Sequence, residues 1–454
     1  MRIPAAFAFA ALSACVQPGV PRDAAQVSML RNPEAVALPL AAGAARSNTR
    51  IAQDFLDLEF QLENGRRLPV FTRFTGPITV ALAGDVPATA PQDLAQLLAR
   101  MRQEAGIDIT PVTSNGRITV TFLPRRTIRA THANVACFVV PGVSDWAGFQ
   151  ASPSRATDWS SLRDRDRAAI FAPSDASPQE VRDCLHEELA QAIGPLNDLY
   201  RLPDSVFNDD NFQTVLTGFD MLMLRLHNAP ALHSGLTRAE VDARLPALLA
   251  QINPQGGAVN PAALRADGAE TPRAWTTAIE TAFAQEGGGG VRRAAAQRAL
   301  TIAQTQGWRD SRLAFSWFAV GRLTLTRDPQ TAAAAFAEAE RLYHALPGAA
   351  PQRAHVDMQL AALALSQGQL AHAIAFADRA LPVARASQNA TLMATLLLLK
   401  AQALEAGGNA AAARALRLDS QPWARYGFGS DAVAEERLRD IAGLVPPSLR
   451  LAQK

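Results

Sequence analysis

Apolar and polar positions follow two different rhythms along this chain, and the rhythm changes beyond its midpoint. In the first half, short helical patterns are mixed with runs of strand character. Arg50 to Phe60 (RIAQDFLDLEF) has apolar residues at helical spacing, and Gln92 to Glu104 places Leu94, Leu97, Leu98 and Met101 on one helical face. Val70 to Phe74, Ile78 to Leu82, Ile118 to Leu123, Val135 to Val140 and Ala168 to Ala172 read as strands, with Asn115-Gly116 as a turn into the third of them. This predicts a small mixed sheet with a helix laid on it, an α+β domain over residues 46–252. Ser177-Pro178-Gln179-Glu180 supplies a cap, a first-turn proline and a capping-box glutamate, so a helix starts there and ends at Gly194-Pro195. Further helices are expected over Asp220 to His227 and after Thr237.

Gln285-Glu286-Gly287-Gly288-Gly289-Gly290 reads as the end of a linker over 253–290, because four glycines in a row do not suit the interior of a stable element. From 291 to about 425 the chain is alanine-rich amphipathic helix with short breaks, followed by a helical tail over 426–454. The region repeats: Asp328, Gly368 and Gly408 each open a helix, 40 residues apart. Ala333, Ala373 and Ala413 follow them by five residues, and Phe336, Phe376 and Leu416 by eight. Each of these helices is preceded by another apolar one. The pattern resembles tetratricopeptide-type helix pairs, whose usual unit is about 34 residues; small residues let paired helices approach and one large apolar residue fills the gap. The segment GQLAHAIAFADRAL (Gly368 to Leu381) carries the resemblance best. Repeats of this type expose a groove for a protein or peptide, and Gln359, Ser366 and Lys400 are expected to line it.

The chain opens MRIPAAFAFAALSACVQPG. Arg2 followed by the apolar run Ile3 to Leu12 reads as a signal peptide over 1–14, the run being too short for a bilayer span of about 20 residues. Leu12-Ser13-Ala14-Cys15 resembles the bacterial lipobox, which implies lipidation of Cys15, a membrane anchor at about 0.8 kcal/mol per buried methylene, and a body facing the periplasm. Residues 15–45, rich in Ala and Pro, read as a flexible tether. Lys+Arg is 44 and Asp+Glu 42, so a nucleic-acid footprint is not expected. Beyond Cys15 only Cys137 and Cys184 remain. An oxidising envelope permits a disulfide between them, worth about 4 kcal/mol in the chain-entropy description; the other reading is two buried thiols.

One segment bears on chemistry. Glu187-Glu188-Leu189-Ala190-Gln191-Ala192-Ile193-Gly194-Pro195-Leu196-Asn197-Asp198 resembles the metzincin zinc-protease motif H-E-x-x-H-x-x-G-x-x-H-D. There, residues i and i+4 share a helix face and hold one metal, the residue at i+1 acts on metal-bound water, and the glycine lets the chain turn back with a third ligand. The resemblance continues downstream. Ser205-Val206-Phe207-Asn208 stands where that family has its methionine turn, with Phe207 replacing methionine. Leu216-Thr217-Gly218-Phe219-Asp220-Met221-Leu222-Met223-Leu224 is similar to the family's closing helix, and brings in Asp220. The chain also looks like an uncharacterised zincin-like family of proteobacterial envelope proteins that carry E-E-x-x-Q.

The resemblance implies Glu188 as catalytic base if the site is active, Glu187, Gln191 and Asn197 as metal ligands if any metal binds, and Gly194, Asp198, Phe207 and Asp220 as structural support. All three histidine positions are changed, and a carboxylate with two amides suits a harder cation or none. No cofactor is therefore expected beyond a weakly held divalent cation. His186 has Ala190 as its i+4 partner and offers no second ligand. The loop 208–211 (NDDN) reads as a solvated turn or, less simply, a cation loop. The expected whole is an α+β zincin-like domain followed by an all-α tetratricopeptide-like domain. Its expected role is a lipid-anchored platform binding an envelope protein or peptide; the rival role is an envelope metallopeptidase or amidase.

Overall fold

The computed structural model describes residues 46–132, 135–264, 271–284 and 287–451. The signal peptide, Cys15 and the tether lie outside the described residues. The chain divides into two compact units, the break falling between residues 270 and 271.

The first unit is α/β. Five strands, β1 Ile78–Gly84, β2 Ile109–Pro111, β3 Ile118–Leu123, β4 Phe138–Pro141 and β5 Ala168–Pro173, form one sheet in the order β2-β1-β3-β5-β4. β4 pairs with β5 antiparallel at one edge, and the other neighbours run parallel. Parallel neighbours need crossovers, and α2 Ala90–Ala105 supplies the one between β1 and β2. Alternation along β3 sends Ile118, Val120 and Phe122 into the main core and leaves Thr119 and Thr121 on the opposite side. That core also takes residues from α1 Asn48–Glu59, α2, α5 Pro178–Ile193, α6 Gly218–His227 and α7 Arg238–Ile252. Short helices α3 Arg125–Thr131 and α4 Trp146–Ala151, with β2, had no clear signal in the sequence.

Cys137, one residue before β4, is bonded to Cys184 of α5, with Cα atoms 6.0 Å apart. The expected disulfide is therefore present and ties the edge strand to the helix that bears Glu187 and Glu188. The strand expected over Val70 to Phe74 does not form. Phe71 exchanges two backbone hydrogen bonds with the loop at Gly235 and Leu236 instead, and only Phe74 makes a bridge, to Arg165.

The second unit is all helix, in consecutive antiparallel pairs: α8 Arg273–Phe283 with α9 Gly289–Thr305, α10 Ser311–Thr324 with α11 Pro329–His344, α12 Ala350–Ser366 with α13 Leu370–Ala386, and α14 Ala390–Ala406 with α15 Ala410–Phe428. α16 Asp431–Leu444 packs on α12, α14 and α15, and α17 Pro447–Leu451 follows. Two expectations for the linker are corrected. Residues 273–283 form a helix, because Trp275 is fully buried, donates from Nε1 to Ser316 Oγ at 3.0 Å and meets the Trp308 ring edge-on. Gly289 and Gly290 lie in the first turn of α9, where backbone N–H groups have no intrahelical partner to lose.

The repeat exists, but its first register is shifted by one. Asp328 caps α11 through a bond from Thr331 N, whereas Gly368 and Gly408, at φ of 72° and 88°, end the helices before α13 and α15. The equivalent caps are Asp328, Gln369 and Asn409. In that register Ala332, Ala373 and Ala413 are equivalent and all fully buried, whereas Ala333 is partly exposed. Phe336 is fully buried against Gly321 of α10, where a β-carbon would stand 2.7 Å from the ring. Phe376 and Leu416 are only partly buried. Gln359 is buried inside α12 rather than exposed, the Ser366 hydroxyl bonds back to Leu363, and Lys400 pairs with Asp378.

Candidate functional site

The site is built on α5. Its start has two of the three expected features: Ser177 Oγ accepts from Glu180 N at 3.2 Å with Pro178 in the first turn, whereas the Glu180 carboxylate pairs with Arg125 instead of closing a capping box. Its end is held by a residue the sequence did not single out. Arg165, just before β5 and fully buried, donates from Nη1 to the carbonyls of Gln191, Ala192 and Gly194 at 3.1, 2.9 and 2.8 Å, and from Nε to Thr72 Oγ1 at 3.2 Å. A cation on the last carbonyls also opposes the helix dipole. Burial lowers the Arg165 pKa to about 10, with nearby Glu59 acting against it, so it stays charged at neutral pH.

Gly194 closes α5 at φ −143°, outside the left-handed region. It is required instead by close approach. A β-carbon there would stand 2.5 Å from Leu224 Cδ2 of α6 and 2.8 Å from the Ala190 carbonyl.

Asn197 is buried and donates from Nδ2 to the Asp57 carbonyl at 2.9 Å. Asp57 is in turn paired with Arg201 at 2.9 Å and Arg238 at 3.1 Å, and Arg201 also binds the fully buried Asp54. The amide of Gln191 donates to Glu63 Oε1 at 3.3 Å and to Asp198 Oδ2 at 3.5 Å. The Glu63 and Asp198 carboxyls lie beside each other, and burial raises the pKa of both. Glu63 reaches in from an exposed turn closed by the Gln61–Arg67 bridge.

The electrostatics are those of crowded carboxyls. Burial, then Asp209, Glu63 and Asp183, pushes Glu187 up to about 8. Burial, then Glu187 and Glu63, holds Glu188 well above the carboxylate range. Asp198 is raised the same way by burial, Glu63, Asp209 and Glu187. Glu188 Oε2 and Asp198 Oδ1 are buried and make no hydrogen bond. Burial and like-charge crowding favour the protonated form of such groups, which can then donate a proton. Among the described residues, no three His, Cys, Asp or Glu side chains sit close enough together to hold a metal ion.

The support residues hold the neighbouring segments. Fully buried Asp220 accepts from Ser205 Oγ at 2.5 Å, Val206 N at 3.2 Å and Thr217 N at 2.7 Å, which joins the 205–208 turn to the start of α6. Burial raises its pKa to about 6. Phe207 is fully buried beneath the turn, and its carbonyl accepts from Leu199 N at 2.9 Å. His186 Nδ1 accepts from Leu216 N at 3.1 Å, and burial followed by the charges of Arg182 and Arg100 keeps it neutral. In the loop 208–211, Asn208 donates to the Leu202 carbonyl and to Asp210, and Asp210 accepts from Phe212 N, so these side chains fold the turn itself.

The structure thus brings Glu187, Glu188, Gln191 and Asp198 into one acid cluster and turns Asn197 away to the backbone of α1. Reading the sequence missed Glu63 and Arg165, and read Asp209 only as part of the 208–211 loop, not as a charge acting on Glu187 and Asp198. Asn64-Gly65 signals the turn that carries Glu63, but nothing local indicates that the carboxyl points inward.

No curated protein and no solved structure matches the chain. Residues 48–247, which contain the whole of this site, match the family described as "Protein of unknown function (DUF2927)".

Proposed function

We propose that this is a lipid-anchored cell-envelope protein. In this reading its first unit is a degenerate metzincin-like domain that works without catalytic zinc, and its helical unit is a docking platform for an envelope protein or peptide. The observation that carries the reading is the donor set at positions 187, 191 and 197. Zinc favours imidazole and thiolate, and neither stands at positions 187, 191 or 197. The Gln191 amide spends its N–H on Glu63 and Asp198, and the Asn197 amide spends its N–H on the Asp57 carbonyl. The residues do not fit zinc. The Cys15 anchor and the envelope location rest on the LSAC sequence.

One observation favours a second reading. Glu188 holds a buried carboxyl oxygen with no hydrogen-bond partner, among carboxyls that raise its pKa. Unsatisfied, perturbed acids concentrate at catalytic sites. In that reading Glu188 moves a proton in a peptidase or amidase reaction.

One set of measurements tests both readings. Protein purified without chelators is expected to hold substoichiometric zinc and to leave casein and peptidoglycan peptides intact. One zinc per chain, together with a hydrolase activity that Glu188→Gln abolishes, would establish the enzyme instead. Cys15→Ala is expected to move the protein out of carbonate-washed membranes; retention of the variant would remove the anchor.

A further inference from the structure

Several arginines of the helical unit pair with acids. Arg312 pairs with Asp310, Arg353 with Glu340, Arg379 with Asp357 and Arg417 with Glu405. Two half-buried arginines do not. Arg292, in the first turns of α9, donates from Nε to the Ala282 carbonyl at 3.0 Å. Arg322, near the end of α10, sits with its guanidinium 5.4 Å from the centre of the Phe283 ring. The two cations therefore meet at the last turn of α8. Neither forms an ion pair with a described carboxylate, and the remaining N–H donors of both forks take no described acceptor.

The arrangement is costly in the absence of a counter-charge. Arg322 is pulled below the usual arginine range by burial and then by the charge of Arg292. Its own charge, after burial, helps to lower His355 of α12 to about 4. The bland role of capping the α8 carbonyls accounts for Arg292 through Ala282. It does not account for Arg322, which has no hydrogen bond to that helix end. The surroundings also contain apolar surface. Phe283 is only partly buried and lies flat against Phe315, with centroids 5.2 Å apart and planes 13° apart, and Val291 beside Arg292 is 57% exposed.

We propose that Arg292 and Arg322 form an anion-recognition site for a carboxylate of an acidic peptide, with the partly exposed Phe283 ring receiving an apolar side chain next to that carboxylate. Guanidinium forks bind carboxylate and phosphate alike. The adjacent apolar surface favours the peptide, because inorganic phosphate cannot use it. The inference rests on the platform reading above and gives that platform a ligand chemistry.

The test uses the full-length protein and a soluble pentapeptide of alternating leucine and glutamate, with thermal unfolding followed at matched ionic strength. The wild type is expected to gain on the order of a few degrees at saturating peptide, as binding to the folded state requires. Arg292→Gln and Arg322→Gln should lose that gain. Arg322→Gln alone should unfold no earlier than the wild type, since it removes a half-buried charge that pairs with no described carboxylate. Three results would each overturn the proposal: no peptide-dependent rise in the wild type, an equal rise with inorganic phosphate, or a loss of stability in Arg322→Gln as large as that of Phe336→Ala. A silent peptide would not touch the platform itself, which fails only if Phe336→Ala and Ala373→Leu leave capture of an envelope partner unchanged.

Discussion

The acid cluster around α5 and the crossings of the helical pairs achieve order by opposite means. Around α5, position is fixed by polar groups taken out of water. Arg165 grips three carbonyls, Asp220 receives three donors, and Arg201 lies between the buried carboxylates of Asp54 and Asp57. An unmade bond among such buried groups costs about 1–3 kcal/mol. In the helical unit, position is fixed by small residues that recur. Ala332, Ala373 and Ala413 occupy one level, Ala339, Ala380 and Ser420 the next, and all six are buried. Repetition spreads the load over many similar contacts. The polar site can therefore be switched by a proton or a single charge, whereas the helical pairs respond only to changes of shape.

pH should separate the two most strongly. The folded pKa of Glu187, about 8, lies above its ordinary value of 4.5. Between those values the folded state holds a proton that the unfolded state has released, so stability falls as pH rises. It is fully present below about 4.5 and lost through 8. Glu188 and Asp198 are shifted in the same direction. Thermal unfolding of the wild type is expected to weaken from pH 5 to pH 8, and Glu187→Gln should flatten that trend and be the more stable protein at pH 8. A wild-type profile that rises over this interval would contradict the acid cluster. The next largest effect belongs to Arg201→Met, which removes the cation shared by buried Asp54 and Asp57, leaves Arg46 and Arg50 beside the one and Arg238 beside the other, and should cost about 3–5 kcal/mol by denaturant unfolding.

Phe336→Ala tests the other side of the comparison. The ring fills the space above Gly321, which has no side chain to collapse into the void, so the loss should be about 3–5 kcal/mol. Unlike the acid cluster, this loss should not vary between pH 5 and pH 8, because only apolar atoms are removed.

The two regions were legible to different depths. Periodicity located α1, α2, α5 and four strands of the sheet within a few residues, because each buries one face against its neighbours. The cap at Ser177 placed the site helix from four letters. The disulfide followed from there being only two cysteines to pair. What local sequence could not carry was long-range polar pairing. Gln191 meets Glu63 across 128 positions and Arg165 meets the Gln191 carbonyl across 26, and no spacing rule links them. In the helical unit the repeat itself was visible, but its phase was not. Asp328 is an N-cap, and aligning it with glycines that end the preceding helices moved the first repeat by one residue.

That phase gives the smallest effect and the sharpest check. Counted from the glycines, Ala333 would be the equivalent of Ala373 and Ala413; counted from the caps, it is Ala332. The two alanines are adjacent, share helix α11 and have the same intrinsic helix propensity, so replacing either with leucine changes nothing but where the added atoms go. Ala332 is fully enclosed, and leucine there must push neighbouring helices apart, at about 1–3 kcal/mol. Ala333 is partly exposed, and leucine there can lie along the surface at a cost of about 0.5 kcal/mol or less. Denaturant midpoints of Ala332→Leu and Ala333→Leu, measured against Ala373→Leu, decide the matter. Ala332→Leu should track Ala373→Leu while Ala333→Leu stays with the wild type. The reverse order would restore the 40-residue phase and remove the equivalence of the caps.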